Sequence, residues 1–270
     1  MDRTQIGIVL GAFLALLIVE IIAGRHKGIY KKNDYIVNGL CSTIVAATTQ
    51  PFASIVISII LAFVIPGYVG LLSDISFWIA FPALILCADF VFYWFHRLSH
   101  QSVKPGPFQW LWKLHRTHHS GSYVNVILLY RTHPIWPFVT PMSWIFGLGI
   151  YLGQAPAVAS ALFLYSLWNL VTHSNFRWDD KIRQHRALGP IFYALEHVLV
   201  SPGIHHTHHG YGRDGAPYRN FGLLLSVYDW VFGTLHIPRG RPHRYGLPGS
   251  NAHWTEEVFY PLFRNTSSDA

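Results

Sequence analysis

Apolar residues in this chain gather in long runs separated by short polar stretches. Residues 6–23 form a first run of about 18 residues, near the lower limit for a helix that crosses a bilayer. Residues 36–65 form a second and longer run. It is interrupted by Gln50-Pro51, where the missing proline amide predicts a kink. A third run, 76–94, continues without a break into a stretch that carries His96 and His100. Residues 135–152 and 155–171 form a helical hairpin, fully spanning or partly re-entrant, joined at Gly153-Gln154. Beyond Val171 the chain is more polar, and turn signals at Ser201-Pro202-Gly203, Gly210-Tyr211-Gly212 and Pro248-Gly249 close it into a cap. The expected fold is an all-α integral membrane protein: four to five membrane-crossing or re-entrant helices beneath a His-rich helical cap. Residues 265–270 read as a frayed end.

Composition supports the membrane reading. Half the chain is apolar (51%) and 12% is charged, against about 25% charged in an ordinary soluble domain. The net charge of +7 does not point to nucleic acid, because the basic residues flank the apolar runs and form no continuous stripe. With five crossings, every Lys and Arg except Arg3, nineteen of twenty, falls on one side together with all seventeen histidines. The positive-inside rule assigns that side to the cytoplasm. The first run lacks the basic leader of a cleavable signal. Cys41 and Cys87 both lie in apolar runs, so neither a disulfide framework nor a thiolate metal site is expected.

The candidate chemistry lies in the histidines. His115, His118 and His119 in LHRTHHSG are spaced i, i+3, i+4, and so are His205, His208 and His209 in IHHTHHG. On a helix, that spacing places three imidazoles on one face. With His96 and His100 at i, i+4, there are eight imidazoles in three arrays, which suits two metal ions better than one. A structural zinc needs four ligands and a catalytic zinc three, so eight is an excess. Neither HExxH nor the Glu-x-x-His of carboxylate di-iron bundles is present. Open coordination positions above a lipid-filled cavity favour iron and oxygen activation. The rival readings are a metal transporter, whose ligands belong near the bilayer midplane, and a membrane protein with a zinc-stabilised cap. Asp89, two helical turns before His96 and on its face, is expected to accept the outer N–H of a ligating imidazole, with Glu196 and Asp229 as further carboxylates of this kind. His206 lies about 100° around the helix from His205 and faces away from its triplet.

HRLSH at 96–100, HRTHH at 115–119 and HHTHH at 205–209 resemble the three histidine boxes of the fatty acid hydroxylase / sterol desaturase superfamily of integral-membrane di-iron enzymes. Asp89, Tyr93, Trp112, Ser120, Asn125, the run Arg131-Thr132-His133-Pro134, Thr172-His173-Ser174-Asn175 and the stretch from Asn220 to Thr234 are similar to its other signatures. The resemblance covers roughly 85–236. It implies N-terminal transmembrane helices over 1–84, a catalytic domain over 85–236 and a tail of the cap over 237–270. It also implies that His96, His100, His115, His118, His119, His205, His208 and His209 hold two non-heme iron ions. His173 is a ninth candidate ligand, because it leaves the last run at the depth of the boxes. His133 and His197 are further candidates, and the other five histidines are expected in solvent.

The implied activity is O2-dependent hydroxylation of a C–H bond in a lipid or sterol-like substrate. Desaturation and ether-lipid monooxygenation are the alternatives. No heme-binding domain precedes the first run, so electrons are expected from a separate donor of cytochrome b5 or ferredoxin type with its reductase. The implied setting is a bacterial inner membrane or the endoplasmic reticulum, with the cap in the cytoplasm.

Overall fold

A computed structural model describes residues 1–47, 49–249 and 252–263; the stretch 265–270 read as a frayed end lies outside them. The chain begins with α1 (Arg3–Ile22), α2 (Lys32–Ala47), α3 (Gln50–Val64) and α4 (Phe77–Gln101). Next come α5 (Gln109–His119), α6 (Trp136–Val139), α7 (Pro141–Tyr151) and α8 (Ala155–His173). Short helices α9 (Trp178–Gln184), α10 (Gly189–Leu195), α11 (Pro202–His209), α12 (Val227–Val231) and α13 (Trp254–Phe259) build the cap. A short antiparallel pairing, Gly210–Tyr211 with Arg244–Tyr245, and an isolated antiparallel bridge, Leu199 with Leu225, interrupt the helices.

Among the described residues, three helices are long and apolar enough to cross a membrane: α1, α4 and α8. This is a multi-pass membrane protein, with three helices of spanning length where four to five crossing or re-entrant helices were expected from the apolar runs. The run 36–65 breaks into two helices, with Thr49 as the N-cap of α3 and Pro51 in its first turn. The run 135–152 breaks at Thr140, where Pro141 begins α7. In both places proline is accommodated by restarting the helix, because its missing N–H costs nothing in a first turn. The α3 and α7 that remain are about 22 and 16 Å long, short of the ~30 Å hydrocarbon core.

These two short helices pack against each other more extensively than any other pair. Gly147 permits this, since a Cβ there would meet Ile57 Cγ2 at 2.6 Å and the Ser54 carbonyl oxygen at 2.9 Å. The α3–α4 and α7–α8 hairpins are tied at their tips. Gly70 N–H donates to the Tyr151 carbonyl (3.0 Å) and Leu72 N–H to the Leu152 carbonyl (2.9 Å), and the Gln154 amide donates to the carbonyls of Leu72 and Ile75. Gly153, at φ +96°, makes the turn against this contact.

At the opposite end, the tip of α1 is fastened to the cap by Glu20, which is fully buried. Its carboxylate accepts from Asn175 N–H (2.6 Å) and Val126 N–H (3.3 Å) and pairs with His26 Nε2 (2.9 Å). His26, expected in solvent, is held here. A core of Phe92, Leu114, Met142, Phe146, Leu162 and Leu224, with their neighbours, runs from between the hairpins up to the cap.

Candidate metal centre

The histidine arrays occupy the C-terminal ends of α4, α5 and α11, and their imidazoles converge with that of His173 at the end of α8. Two groups form, with ligand atoms in each lying within 4.8 Å of one another. The first contains His96 and His100 of α4, His115 and His119 of α5, and His208 of α11. The second contains His118 of α5, His173 at the end of α8, and His205 and His209 of α11. The triplets interleave. The i, i+4 pair on α5 faces the first group and His118 the second, whereas the i, i+4 pair on α11 faces the second group and His208 the first. The rings of His119 and His209 stack at 4.3 Å where the groups meet.

Spacing and donor type fit a metal in each group. Inward nitrogens lie 3.1 Å apart in His96/His208, 3.0 Å in His115/His119, 3.0 Å in His173/His205 and 3.1 Å in His205/His209. Two imidazole nitrogens each about 2.1 Å from one ion are themselves about 3.0–3.4 Å apart. The Nε2 of His100 is buried with no hydrogen-bond partner, a donor atom that nothing in the protein satisfies.

The outer nitrogens set the tautomers. Nδ1 of His96 bonds the Phe221 carbonyl (2.8 Å), that of His208 the Arg219 carbonyl (2.8 Å), that of His173 the Asn169 carbonyl (2.8 Å) and that of His118 the Arg131 carbonyl (3.3 Å). His100 bonds the Pro217 carbonyl. A carbonyl only accepts, so Nδ1 carries the proton and the Nε2 lone pair faces inward. Charge state favours metal as well. Burial, reinforced by neighbouring imidazoles, holds His115, His119, His205 and His209 well below the usual histidine range. Burial also brings His118 and His208 down to about 4. Neutral rings are the form that binds metal.

Two ion-pair networks brace the helices behind the histidines. Under α5, the buried Arg131 guanidinium pairs with Asp34 (3.0 Å) and Glu257 (2.9 Å), and its Nε donates to the Thr117 carbonyl (3.1 Å). Under α11, Asp179 accepts from Gly203 N–H (2.7 Å) while paired with Arg241 (2.6 Å). Glu196 accepts from Ser201 Oγ (2.6 Å) while paired with Arg183 (2.6 Å). Glu196 was expected to accept from a ligating imidazole and instead binds Ser201 and Arg183; the roles of Arg131, Asp34, Glu257, Asp179, Arg241 and Glu20 escaped the sequence reading. A lone acid inside an apolar run was the available signal for Glu20; Arg131 with Asp34 and Glu257, and Asp179 with Arg241, are too far apart in sequence to leave one.

The expectation that Asp89 accepts from a ligating imidazole is corrected. Its carboxylate accepts from the backbone N–H groups of Leu224 (3.2 Å) and Leu225 (2.5 Å) and touches no histidine. Asp229 likewise accepts from Phe221 N–H (2.8 Å) and Gly222 N–H (2.7 Å). A backbone carbonyl already meets the outer nitrogen of His96, so the two carboxylates instead hold the loop that presents that carbonyl. Their influence on His96 passes through Phe221. His133 and His197 stay apart from both groups. The first accepts from Ile135 N–H (3.2 Å), and the second bonds the Tyr193 carbonyl (2.8 Å). His206 faces away, buried between the Ser174 carbonyl and the Tyr245 hydroxyl, both at 3.1 Å.

Comparison with known proteins agrees with this geometry. A family model described as fatty acid hydroxylase matches residues 81–234. An alkylglycerol monooxygenase of Danio rerio is 31% identical over 195 residues, 68% of this chain and 36% of that protein. A very-long-chain aldehyde decarbonylase of Oryza sativa is 25% identical over 181 residues, 64% of this chain and 25% of that protein. A Delta(7)-sterol 5(6)-desaturase of Gibberella zeae is 22% identical over 179 residues, 66% of this chain and 44% of that protein. The chain thus spans only a quarter to under a half of these relatives' lengths. No solved structure matches it.

Proposed function

The chain belongs to the fatty acid hydroxylase family, and from that premise we propose that it is a membrane-bound di-iron oxygenase that hydroxylates a C–H bond of a lipid. The observation that carries the reading is the convergence of nine inward imidazole nitrogens in two adjoining groups. His96, His100, His115, His119 and His208 would hold one iron, and His118, His173, His205 and His209 the other. Two ferrous ions supply O2 activation, so that substrate, O2, two electrons and two protons become alcohol and water. An external donor of cytochrome b5 or ferredoxin type would deliver the electrons.

The protein's own contribution is rigidity and dryness. Backbone carbonyls keep Nδ1 of His96, His100, His118, His173 and His208 protonated and their Nε2 aimed inward, and the ion-pair networks hold α5 and α11 against sliding. Trp136, stacked on His115 at 4.6 Å, and Phe221, 5.7 Å from His96, close the first group to water. The site lies at the top of α4 and α8, where a lipid reaches it from the bilayer without crossing solvent. On the charge distribution, that end faces the cytoplasm, with α3 and α7 entering the membrane as the short arms of two re-entrant hairpins.

The substrate class is a lipid with a long apolar portion, and an ether lipid is the first to test, since the alkylglycerol monooxygenase relative has the highest identity of the three described above. Purified protein supplied with ferrous iron, a reductant chain and 18O2 should bind two irons per chain and transfer one labelled oxygen atom to an alkylglycerol, a fatty acyl lipid or a sterol. Two bound irons with no O2-dependent change in any of these lipids would refute the reading.

A further inference from the structure

The cap carries an apolar surface that the metal centre does not explain. Ile191 and Leu195 of α10, and Trp230 and Val231 of α12, are each half or more exposed. Residues 188–200 and 221–235 contain two carboxylates, Glu196 and Asp229, and both are buried. Neither stretch exposes a Lys, Arg, Asp or Glu side chain. The two stretches lie side by side: Val200 N–H donates to the Leu224 carbonyl, and Ser226 N–H to the Val198 carbonyl.

Their position relative to α4 indicates what covers them. Phe77 begins α4 next to the hairpin tips, and the helix is about 37 Å long, more than the ~30 Å hydrocarbon core. The Tyr228 hydroxyl donates to the Leu86 carbonyl (2.9 Å). Leu86 lies nine residues past Phe77, about 14 Å along the helix. Phe232 packs on Trp94 at 4.8 Å, and Tyr228 on Phe90 at 5.4 Å. The segment carrying α12 therefore runs beside α4 at depths that lie inside the hydrocarbon if α4 spans.

Non-helical backbone survives at such depth only when its polar groups are satisfied by protein. Asp89 and Asp229 meet that condition by accepting from the four amides of Phe221, Gly222, Leu224 and Leu225. Arg186, Arg219 and Arg239 are exposed at the ends of the two stretches, where headgroup phosphates would lie.

We propose that α10 and α12 lie in the plane of the membrane and sink their apolar faces into the leaflet nearest the metal centre. The cap is then a monotopic element fused to the spans, seated in the lipid on the flank of α4. Asp89 is the device that allows irregular chain to run there.

The test uses the whole chain in phospholipid vesicles. An apolar carbene photolabel dissolved in the bilayer should mark peptides covering 188–198 and 227–232 of the unaltered protein, as it marks α3 around Phe63. Spin labels on single cysteines at Ile191, Leu195 and Val231, with Cys41 and Cys87 replaced by Ala, give depth. All three should be more accessible to O2 than to a water-soluble nickel chelate, with the order reversed at Arg213. Aqueous accessibility at these three sites, with no photolabel in either peptide, overturns the proposal. So does exclusion of both reagents, the result of a second protein covering the face. Neither measurement depends on iron or turnover, so the proposed activity stands or falls separately.

Discussion

Asp89→Asn isolates what a buried carboxylate contributes when it holds a loop instead of a ligand. The carboxylate accepts two backbone N–H groups through two oxygens, at 3.2 and 2.5 Å. The amide keeps one acceptor and turns an NH2 toward the other N–H. The loss is one charge-assisted hydrogen bond, about 1.5–3 kcal/mol, together with a buried donor left unmet, about 1–3 kcal/mol. Burying an amide in place of a carboxylate offsets part of this, leaving about 2–4 kcal/mol. At about 2–4 °C per kcal/mol for a chain of this size, the apparent melting temperature should fall by about 5–15 °C.

The second readout is metal. A loosened Phe221 carbonyl no longer fixes the tautomer of His96 (2.8 Å), and outer partners of this kind are worth about 10–100-fold in metal affinity. Titration of the iron-loaded variant with a competing chelator should release one iron at correspondingly lower chelator concentration and the other as in the parent. An Asp89→Asn protein that melts and releases both irons as the parent does refutes the reasoning.

His208→Ala removes a member of the five-histidine group and His118→Ala one of the four-histidine group. Each should lower iron from two per chain toward one, read by elemental analysis, while the protein remains in the membrane. His206→Ala should leave both irons in place yet lower the melting temperature, because it leaves the Ser174 carbonyl and Tyr245 hydroxyl without their partner; loss of an iron would contradict the geometry. In the metal-free protein, His118 and His208 titrate near 4 when folded and near 6.5 when unfolded. The unfolded chain therefore binds more protons between those values. Stability is fully present above about pH 6.5 and falls with acid toward pH 4, by on the order of 1 kcal/mol per pH unit for each group. A flat melting temperature from pH 7 to pH 4.5 would contradict this. Glu20→Ala should free the end of α1 and expose the linker at residues 23–31 to protease, with unchanged cleavage counting against Glu20 as the anchor.

The sequence by itself determined the parts whose encoding is local. Histidines at i, i+3 and i+4 share a helix face whatever surrounds them, so three arrays and a nitrogen-only metal site were legible in His96–His100, His115–His119 and His205–His209. The long apolar runs became α1, α4 and α8 for the same reason, since length and hydropathy decide crossing. The tertiary structure decided everything that depends on which segment lies opposite. His118 turns away from His115 and His119 to join His173, His205 and His209, because the rotation of α5 is set by Arg131 and Glu257, not by its own spacing. The runs 36–65 and 135–152 proved to be two helices each, because whether proline kinks a helix or restarts one depends on how the chain on either side packs. Asp89 sits on the helix face that its spacing from His96 predicts, yet it binds amides some 135 residues away. A carboxylate takes whatever donor the fold brings within reach, and a pattern of neighbours along one helix carries no record of that donor.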